Sequence, residues 1–406
     1  MNKDWLHTKL GDIAKITCGI AATPEYVDES VGVPFLSARN VQDGKLDLSK
    51  FMYIPKELHK KLTKNTKPKK GDVLLTRVGA GIGKAAFVDI DFEFSVYVSL
   101  TLIQCKGMLD GNFLTFLLNT NYYQYLANRD QFAGGGVQNL NVQMVKGYPV
   151  SIPPLPEQIK IAEILSTWDN AINTVQKLLT NSQEQKKALM QQLLTGKKRF
   201  AGFEGEWEDT KLDDLFSFKR GKGLSKDELF STGKYKCVLY GELYTKYDEV
   251  IKTVISRTNA TESVKSIFGD ILIPSSTTTT GIDLAKAVAI LEDDVFLGGD
   301  INILRRKNSS LCSVFMAYLL THIKKYEIAA YAQGITIIHL YGSDIKKIRV
   351  SIPSLPEQQK IAAVLTTADQ EIDNLRAQLN HLKQEKKALM QQLLTGKRRV
   401  KVEEAA

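Results

Sequence analysis

The sequence "KKALMQQLLTGK" occurs at Lys186–Lys197 and again, letter for letter, at Lys386–Lys397. A second match precedes each copy, since "SIPPLPEQIKIAEIL" at Ser151–Leu165 returns as "SIPSLPEQQKIAAVL" at Ser351–Leu365. Solenoid proteins repeat every roughly 20 to 50 residues, a period far shorter than this spacing. The chain is therefore a tandem duplication, in which a variable region and a near-identical segment alternate.

The near-identical segments have the pattern of long helices. A proline (Pro156, Pro356) stands in the first turn of each predicted helix, and a glycine (Gly196, Gly396) follows its end. Each helix is about 40 residues, or about 60 Å, long. Apolar residues recur at alternating steps of four and three, which is typical of a coiled-coil seam. The seam includes Ile161, Leu165, Trp168, Ile172, Leu189 and Leu193 in the first copy, and Ile361, Leu365, Ile372, Leu389 and Leu393 in the second.

The variable regions share weaker landmarks. "GDVLLTRV" from Gly71 parallels "GDILIPSS" from Gly269, and both predict a buried strand after a turn glycine. "SLTLIQCK" and "INILRRK" also predict strands, whereas "FLTFLLNTNYYQYLAN" and "VFMAYLLTHIKKYEIAAYA" have helical periodicity. Each variable region is therefore predicted to be a globular domain of mixed helix and sheet.

The fold prediction is α+β, with globular domains at residues 1–150 and 201–350. Residues 151–200 and 351–397 are the two long helices, and residues 398–406 are a tail. Two helices of equal length most simply pair with each other, and an antiparallel coiled coil would relate the halves of this tandem duplication by a pseudo-twofold axis. The alternative is that both helices are buried in an ordinary core, but the faces outside the seam are rich in Glu, Gln, Lys and Asn.

The composition indicates a cytoplasmic protein that is compatible with a nucleic-acid partner. The 406 residues carry a formal charge of +9, with a pI near 9.1. No apolar run approaches the roughly 20 residues that span a bilayer, and the first residues lack the apolar stretch of a signal peptide. The four cysteines have no CxxC spacing, so neither a zinc site nor a disulfide framework is predicted.

No catalytic motif is complete. The stretch "RVGAGIGKAA" at Arg77–Ala86 lacks both the first glycine and the hydroxyl residue of a phosphate-binding loop. The chain has no Asn-Pro dipeptide for an adenine methyltransferase loop and no Pro-Asp for a common nuclease motif. Its five histidines form no metal-ligand pair. We therefore expect no catalytic residue and no metal site.

A recognition surface remains. Loops after the predicted strands carry donors of the kind that contact phosphates and base edges. "GGGVQNLN" and "GITIIHL" occupy equivalent places in the two halves, just before the returning strand. Solvated loops without a binding role are the alternative for each residue. The candidate DNA-binding residues are Arg77, Lys84, Gln138, Asn139, Arg220, Lys222, Ser275, Ser276, Thr277, Thr278, Lys286, Thr336 and His339.

The chain resembles the specificity subunits of type I restriction–modification enzymes. The paired helix starts "PLPEQ-x-KIA" (Pro154–Ala162 and Leu355–Ala362) and the paired "KKALMQQLLTGK" helix ends carry the resemblance, which covers nearly all of the chain. It implies that the globular domains are target-recognition domains, each reading half of a bipartite double-stranded DNA site. It also implies that the antiparallel coil sets the spacing of the half-sites. Inserting residues into the coil is then expected to change the spacer and leave the half-site sequences unchanged.

The same resemblance implies the partners. Two S-adenosylmethionine-dependent modification (methyltransferase) subunits dock on the coil, and ATP-driven restriction subunits join them. S-adenosylmethionine, ATP and Mg²⁺ are expected on those subunits, and no cofactor on this chain. Two alternatives stay open: a single-chain restriction–modification fusion with its own activity, and a coiled-coil adaptor, such as an inactive or decoy specificity subunit, that binds protein without reading DNA.

Overall fold

The computed structural model describes residues 4–20, 24–42, 44–129 and 139–402. The chain divides into two compact units. Unit 1 consists of Met1–Gln176 together with Gln378–Ala406, and unit 2 is the continuous segment Lys177–Ala377. Each unit therefore contains part of both long helices. In the described part of the chain, no helix is long and apolar enough to cross a membrane.

Unit 1 is built from short strands and helices that precede the first long helix. The strands are β1 Leu6–Lys9, β2 Ala14–Cys18, β3 Gly32–Leu36, β4 Val41–Gln42, β5 Lys45–Leu46, β6 Met52–Pro55, β7 Val73–Thr76, β8 Ala85–Phe87, β9 Ser95–Val96, β10 Leu100–Cys105 and β11 Pro149–Ile152. The helices are α1 Leu10–Ile13, α2 Lys56–Thr63, α3 Gly111–Leu118, α4 Asn121–Arg129, α5 Val142–Lys146 and the long α6 Leu155–Leu193, with a 3-10 turn at Ala38–Asn40.

The main sheet of unit 1 has the antiparallel order β2-β10-β7-β8. A second sheet has the order β6-β3-β9, in which β3 and β9 are parallel. Strands β7 and β10 are buried along most of their length, as expected for strands covered on both faces. Strand β11 returns to pair with β1, in the register Leu6 opposite Ile152, and so places the start of α6 against the core.

Unit 2 repeats this order of elements with longer sheets. Its strands are β12 Glu208–Lys211, β13 Phe216–Arg220, β14 Tyr235–Val238, β15 Val250–Ile251, β16 Arg257–Thr258, β17 Val264–Lys265, β18 Asp270–Pro274, β19 Ser276–Thr277, β20 Val288–Ile290, β21 Phe296–Leu297, β22 Ile301–Arg306, β23 Ile338–His339 and β24 Arg349–Ile352. Its helices are α7 Leu212–Leu215, α8 Glu242–Thr245, α9 Ser313–Tyr318, α10 Lys325–Ala330, α11 Gly342–Ile345 and the long α12 Leu355–Leu393, with 3-10 turns at Lys226–Glu228 and Asp283–Ala285 and a π-helical turn at Leu319–Ile323.

The central sheet of unit 2 repeats that of unit 1 and adds a strand. The order β13-β22-β18-β20 matches β2-β10-β7-β8, and a further strand, β15, joins parallel to β20. The pair β12–β24 matches β1–β11 and has the same register, with Glu208 opposite Ile352. The tandem duplication seen in the sequence is therefore a duplication of topology.

Both long helices are continuous, and each ends at a left-handed glycine. Gly196 and Gly396 have φ of +68° and +70°. In each case the residue two positions later donates its N–H to a carbonyl of the last helical turn, Lys198 to Gln192 and Arg398 to Gln392, both at 3.1 Å. This is the glycine-dependent helix ending that the sequence predicted.

Within each unit the start of one long helix packs beside the end of the other, so the pairing is antiparallel. In the core of unit 1, Ile161 and Leu165 of α6 lie with Leu393 and Leu394 of α12. In unit 2 the roles are exchanged, with α12 supplying its start and α6 its end; the residues concerned are Ile361, Leu365, Leu193 and Leu194. Most of the remaining helix surface is exposed, which argues against two helices buried in an ordinary core.

Two shorter helices differ from the sequence prediction. The periodic stretch after Asn112 forms two helices, α3 and α4, because Asn119 caps α3 and its side chain bonds both the N–H and the C=O of Ala85 (3.1 and 2.9 Å). In unit 2 Thr321 makes the same two bonds to Ala287, at 2.9 Å each, from a π-helical turn. The helix is interrupted in both units where a side chain bonds to the sheet edge.

Candidate nucleic-acid interface

The C-terminal end of β7 brings together two of the predicted DNA-binding residues. Arg77 donates its backbone N–H to Ser99, and its carbonyl accepts the N–H of Leu140 (2.9 and 2.8 Å). Its guanidinium donates to the Asn139 side-chain oxygen, from Nε at 3.1 Å and from Nη2 at 2.8 Å, and Nε also donates to the Leu140 carbonyl at 3.1 Å. Only 8% of Arg77 is exposed. Arg77 therefore orients Asn139 and closes the end of the sheet.

Unit 2 has the same backbone frame with different side chains. Ser275 occupies the place of Arg77, since it donates to Asp300 and accepts from Leu340, both at 2.9 Å. A serine cannot reach the Leu340 carbonyl with its side chain, and Asn302 on the neighbouring strand donates to that carbonyl instead, at 2.9 Å. No sequence motif pointed to Asn302; only the aligned positions of Leu140 and Leu340 could have suggested it.

Three further candidates of unit 2 meet in a short β-ladder. Ser276 lies opposite His339, and Thr277 lies opposite Ile338. The side chains of Ser275, Ser276 and Thr277 are almost fully buried, whereas Thr278 is exposed. The serine and threonine residues that precede Thr278 therefore form the base of this surface.

An exposed loop lies beyond this ladder. Gln333 and His339 exchange two backbone hydrogen bonds of 2.9 and 2.7 Å, which close the loop at its base. Gly334 has φ of +131°, where a side chain would meet the Ile337 carbonyl. Thr336 is exposed here, and the neighbouring Ile335 is 99% exposed. Sequence reasoning missed Ile335, which carries no polar group.

The remaining candidate cations differ in their surroundings. Arg220, at the end of β13, bonds Asp300 at 2.8 Å and the Gly299 carbonyl at 3.1 Å, yet its side chain is 55% exposed. Lys222 is more exposed, and among the residues that the structure describes only Glu262 engages its side chain, in a 3.6 Å ion pair. Screening leaves such exposed pairs weak, so both cations remain available to an anionic partner.

Lys286, by contrast, lies in an internal ion cluster. Its Nζ is 3.0 Å from Oε1 of Glu249, which also lies 3.1 Å from Nε2 of His322, and Lys186 lies 3.6 Å from the other oxygen. Burial alone raises the pKa of Glu249, but the hydrogen bond from His322 and the charges of Lys286 and Lys186 lower it well below its ordinary range. Lys84 occupies the place of Lys286 in unit 1 and is exposed. Gln138 lies outside the described residues.

The predicted seam residues occupy the antiparallel pairing just described. Buried residues at the heptad spacing lie near the helix ends and also in the middle of each helix, at Val175 and Leu179 of α6 and at Ile372 and Leu379 of α12. Trp168, Ile172, Leu189 and Leu389 are half-buried. Among the residues that the structure describes, no three His, Cys, Asp or Glu side chains lie close enough to hold a metal ion.

The sequence alone also did not explain why the same residues are repeated at both helix starts and at both helix ends. In unit 1 the start of α6 is clamped by Arg399, which donates to Glu157 from Nε and Nη2 at 2.8 Å each. In unit 2 Arg199 holds Glu357 in the same way, at 2.9 and 2.6 Å, and the Glu357 side chain is fully buried. Each copy of the start thus binds the end of the other copy.

The sequence matches the family described as "Type I restriction modification DNA specificity domain" twice, over residues 2–181 and 204–384. The chain therefore belongs to the DNA specificity family of type I restriction–modification systems. It is 25% identical over 416 aligned residues to the putative type I restriction enzyme MjaX specificity subunit of Methanocaldococcus jannaschii, covering 98% of this chain and 95% of that one. It is 26% identical over 418 residues to the MjaVIII specificity subunit of the same organism, covering 98% and 94%.

Solved structures agree on the fold. The type I restriction–modification S subunit of M. genitalium superposes with a TM-score of 0.63 at 17% identity, over 97% of this chain and 96% of that one. A chain from a structure described as showing complex assembly and conformational transition of the type I system has a TM-score of 0.53 at 16% identity, over 97% and 98%. The prediction of two recognition domains on a duplicated fold with long helices is confirmed.

Membership of this family gives the chain its role. It is the specificity subunit, a non-catalytic part of a restriction–modification enzyme, and its task is DNA sequence recognition. Membership also implies assembly with modification and restriction subunits and with DNA.

Proposed function

We propose that each unit reads one half of a bipartite DNA site through the surface at the end of its central sheet. The observation that carries the proposal is the shared backbone frame, in which Arg77 and Asn139 of unit 1 stand where Ser275 and His339 stand in unit 2. A common frame with different side chains presents both readers in the same way while giving each its own donors and acceptors. Sequence is read by such groups at base edges.

In unit 1, Asn139 is the proposed base-reading residue and Arg77 its support. The Asn139 oxygen already accepts two bonds from Arg77, whereas its Nδ2 donors have no partner among the described residues. An amide in this state offers donors to acceptors such as purine N7 in the major groove. Gln138 is proposed to extend the same surface. Lys84, which lines an open cleft beside β8, is not assigned to a phosphate.

In unit 2, the loop from Gln333 to His339 and the neighbouring threonines are the proposed reading surface. Thr336 and Thr278 are exposed and offer hydroxyls, and His339 lies at the base of the loop, its ring stacked on Tyr341 at 6.1 Å. Ser275, Ser276 and Thr277 support this surface from below. Arg220 and Lys222 are proposed to contact phosphates. Lys286 is proposed to contribute only indirectly, through its ion pair with Glu249 inside unit 2.

The proposed complex has two modification subunits on the paired helices, with the restriction subunits joining them. S-adenosylmethionine, ATP and Mg²⁺ belong to those partners in this proposal, and the cytoplasm is where the substrate DNA lies. Because the helix ends are nearly identical in the two copies, they suit two identical partners. The divergent domains suit two different half-sites.

The experiment is to express the chain with its modification subunits in a methylation-free host and map adenine methylation across the genome. One split motif, with two short specific halves around an unspecified spacer, is the expected result. A stable complex that methylates no defined motif would favour the adaptor or decoy alternative. Methylation by the isolated chain would revive the fusion alternative.

A further inference from the structure

Unit 1 contains an open cleft beside the edge strand β8. Its volume is about 620 Å³, and its lining includes Gly44, Lys84, Asn119, Asp169 and Lys386. The long helices form one wall, through Asp169 of α6 and Lys386 of α12. Lys386 pairs with Asp169 at 2.5 Å, whereas the side-chain amine of Lys84 has no hydrogen-bond or ion-pair partner among the residues that the structure describes. The cleft therefore holds one uncompensated cation.

The corresponding place in unit 2 is filled by the chain itself. Ala289 on β20 donates its N–H to the Glu249 carbonyl at 2.9 Å, and its counterpart Phe87 on β8 donates to the Gly44 carbonyl at 3.4 Å. Phe87 and Ala289 correspond because each lies opposite the first residue after the Gly-Asp pair, Val73 and Ile271 respectively. Unit 1 thus has a glycine where unit 2 has Glu249.

The lysines that hold the Glu249 carboxylate have kept their places in unit 1. The same strand register equates Lys84 with Lys286, which lies 3.0 Å from that carboxylate. The sequence repeat equates Lys386 with Lys186, which lies 3.6 Å from it. Only the third partner differs, because Thr120 stands where unit 2 has His322. The Glu249 side chain is 5% exposed, so unit 2 shows that this arrangement of cations accommodates a buried carboxylate.

We propose that the cleft of unit 1 receives the carboxylate of an aspartate or glutamate side chain from a modification subunit, held between Lys84 and Lys386. Space is available, since a Cβ placed on Gly44 would find only the Asn119 amide nitrogen, 3.7 Å away. The identity of the partner rests on the proposed function; the preference for a carboxylate rests on the comparison with Glu249. Unit 2 supplies this group from its own chain, so the proposed contact belongs to one half of the subunit.

The cleft suits a protein side chain better than DNA. The grooves of a DNA duplex are about 12 and 6 Å wide. The whole duplex is therefore too wide to enter a cleft of about 620 Å³. The cleft is also lined by Asp89 and Asp169, which would repel a row of phosphates. A single carboxylate brings one negative charge to Lys84 and can share Lys386 with Asp169, as Glu249 shares Lys186 with Asp369 in unit 2.

Zero-length carbodiimide coupling tests the contact directly, because it joins only carboxylates and amines that touch. The full chain is assembled with its modification subunit, treated, digested and analysed by mass spectrometry. An amide bond from Lys84 or Lys386 to an aspartate or glutamate of the modification subunit is the expected product. Lys286, enclosed with Glu249, is expected to give no link to the partner. Links confined to acids of this chain, to Asp89 or Asp169 for example, would overturn the proposal.

A matched pair of variants measures the contribution to binding. Lys84→Gln is expected to weaken binding of the modification subunit about tenfold, as loss of a partly desolvated charge pair does. Lys60→Gln removes the same charge from an exposed position on α2 and is expected to leave affinity unchanged. Unchanged affinity in Lys84→Gln overturns the proposal, as does a loss of DNA binding alone, which would assign the cleft to phosphate. If Lys84 couples to the modification subunit but cells that express the same two proteins show no methylated motif, the contact stands and the proposed function is refuted.

Discussion

At the scale of single residues, one pair of equivalent carbonyl groups shows how the side chains of the two units can differ while each carbonyl keeps a hydrogen-bond donor. Leu140 and Leu340 end equivalent loops, and each carbonyl accepts a side-chain hydrogen bond. The donor is Arg77 on β7 in one unit and Asn302 on β22 in the other. Residues at the reading surface can therefore change when a neighbouring strand takes over the structural task.

Exchanging these donors is the first prediction. Arg77→Ser is expected to lower the free energy of unfolding by about 1–3 kcal/mol, because the buried Leu140 carbonyl loses its donor. Adding Thr101→Asn places an asparagine where unit 2 has Asn302 and is expected to restore part of that loss. Denaturant unfolding of the two variants measures the effect. Unchanged stability in Arg77→Ser, together with lost DNA binding, would instead make Arg77 a direct reader.

The carboxylate of Glu249 makes stability depend on pH. Its pKa is lowered in the folded chain, so it stabilises the fold above the unfolded value of about 4.3, and this contribution is lost as pH falls below that value. Glu249→Gln is expected to be less stable at neutral pH and to lose less stability on acidification. Thermal unfolding from pH 7 to pH 3 compares it with Glu262→Gln, whose carboxylate is exposed. Parallel curves for Glu249→Gln and the parent would refute the prediction.

Lys222 is expected to behave as a phosphate contact. Lys222→Ala should weaken binding to specific and random duplexes to the same extent, and reduce the slope of log affinity against log salt by about 1. Fluorescence titrations at several salt concentrations provide the measurement, with Lys60→Ala as the control. Weakening confined to the specific duplex would make Lys222 a base reader.

At the scale of elements, the repeated helix starts are explained by the contacts they make. Gln158 accepts the N–H of Asp110 and donates to Met108 and Pro153, and Gln358 accepts from Cys312 and donates to Pro353. These glutamines fasten each long helix to the loop before α3 or α9. Together with the clamped Glu157 and Glu357, they give a structural reason for both "PEQ" sequences.

Removing one of these amides is the prediction for this element. Gln358→Leu leaves the Cys312 N–H and the Pro353 carbonyl without their partner, and we expect it to lower the free energy of unfolding by about 1–3 kcal/mol. Gln391→Leu, on an exposed face of α12, is the control and is expected to change stability by no more than about 0.5 kcal/mol. A similar effect in both variants would mean that the amide does not anchor the helix.

The long helices were the most predictable elements, because their evidence is local. Proline and glutamate mark the start, the left-handed glycine marks the end, and the heptad pattern fills the interior. The strands after Gly71 and Gly269 were predictable for the same reason. The Glu249 cluster was not, because it joins Lys186, Lys286 and His322 from separate parts of the chain. Burial of Ser275–Thr277 also depends on β23, far along the sequence.

At the scale of the whole molecule, each compact unit contains residues from both repeats. We therefore expect the length of the paired helices to set the distance between the two DNA half-sites. Inserting four residues into α6 after Gln176 and into α12 after Ala377 adds about 6 Å to each helix, close to two base pairs of about 3.4 Å. We expect the methylated motif to keep both half-sites and change its spacer.

Methylome mapping measures both properties of this insertion variant. A four-residue insertion in the exposed turn after Asn308 is the control, and it is expected to keep the parental spacer. A parental spacer in the helix variant would show that the coil does not set the distance. Altered half-site sequences would show that the insertion disturbs the reading surfaces.

The clamp between Glu157 and Arg399 also has a consequence for synthesis on the ribosome. Unit 2 is one uninterrupted segment, and it has all its residues as soon as Ala377 has emerged. Unit 1 lacks Leu393, Leu394 and its clamping arginine until the second repeat has been translated. The nascent chain must therefore hold an unfinished apolar surface while the second unit is made. Unit 1 therefore begins to emerge first but completes its hydrophobic core last.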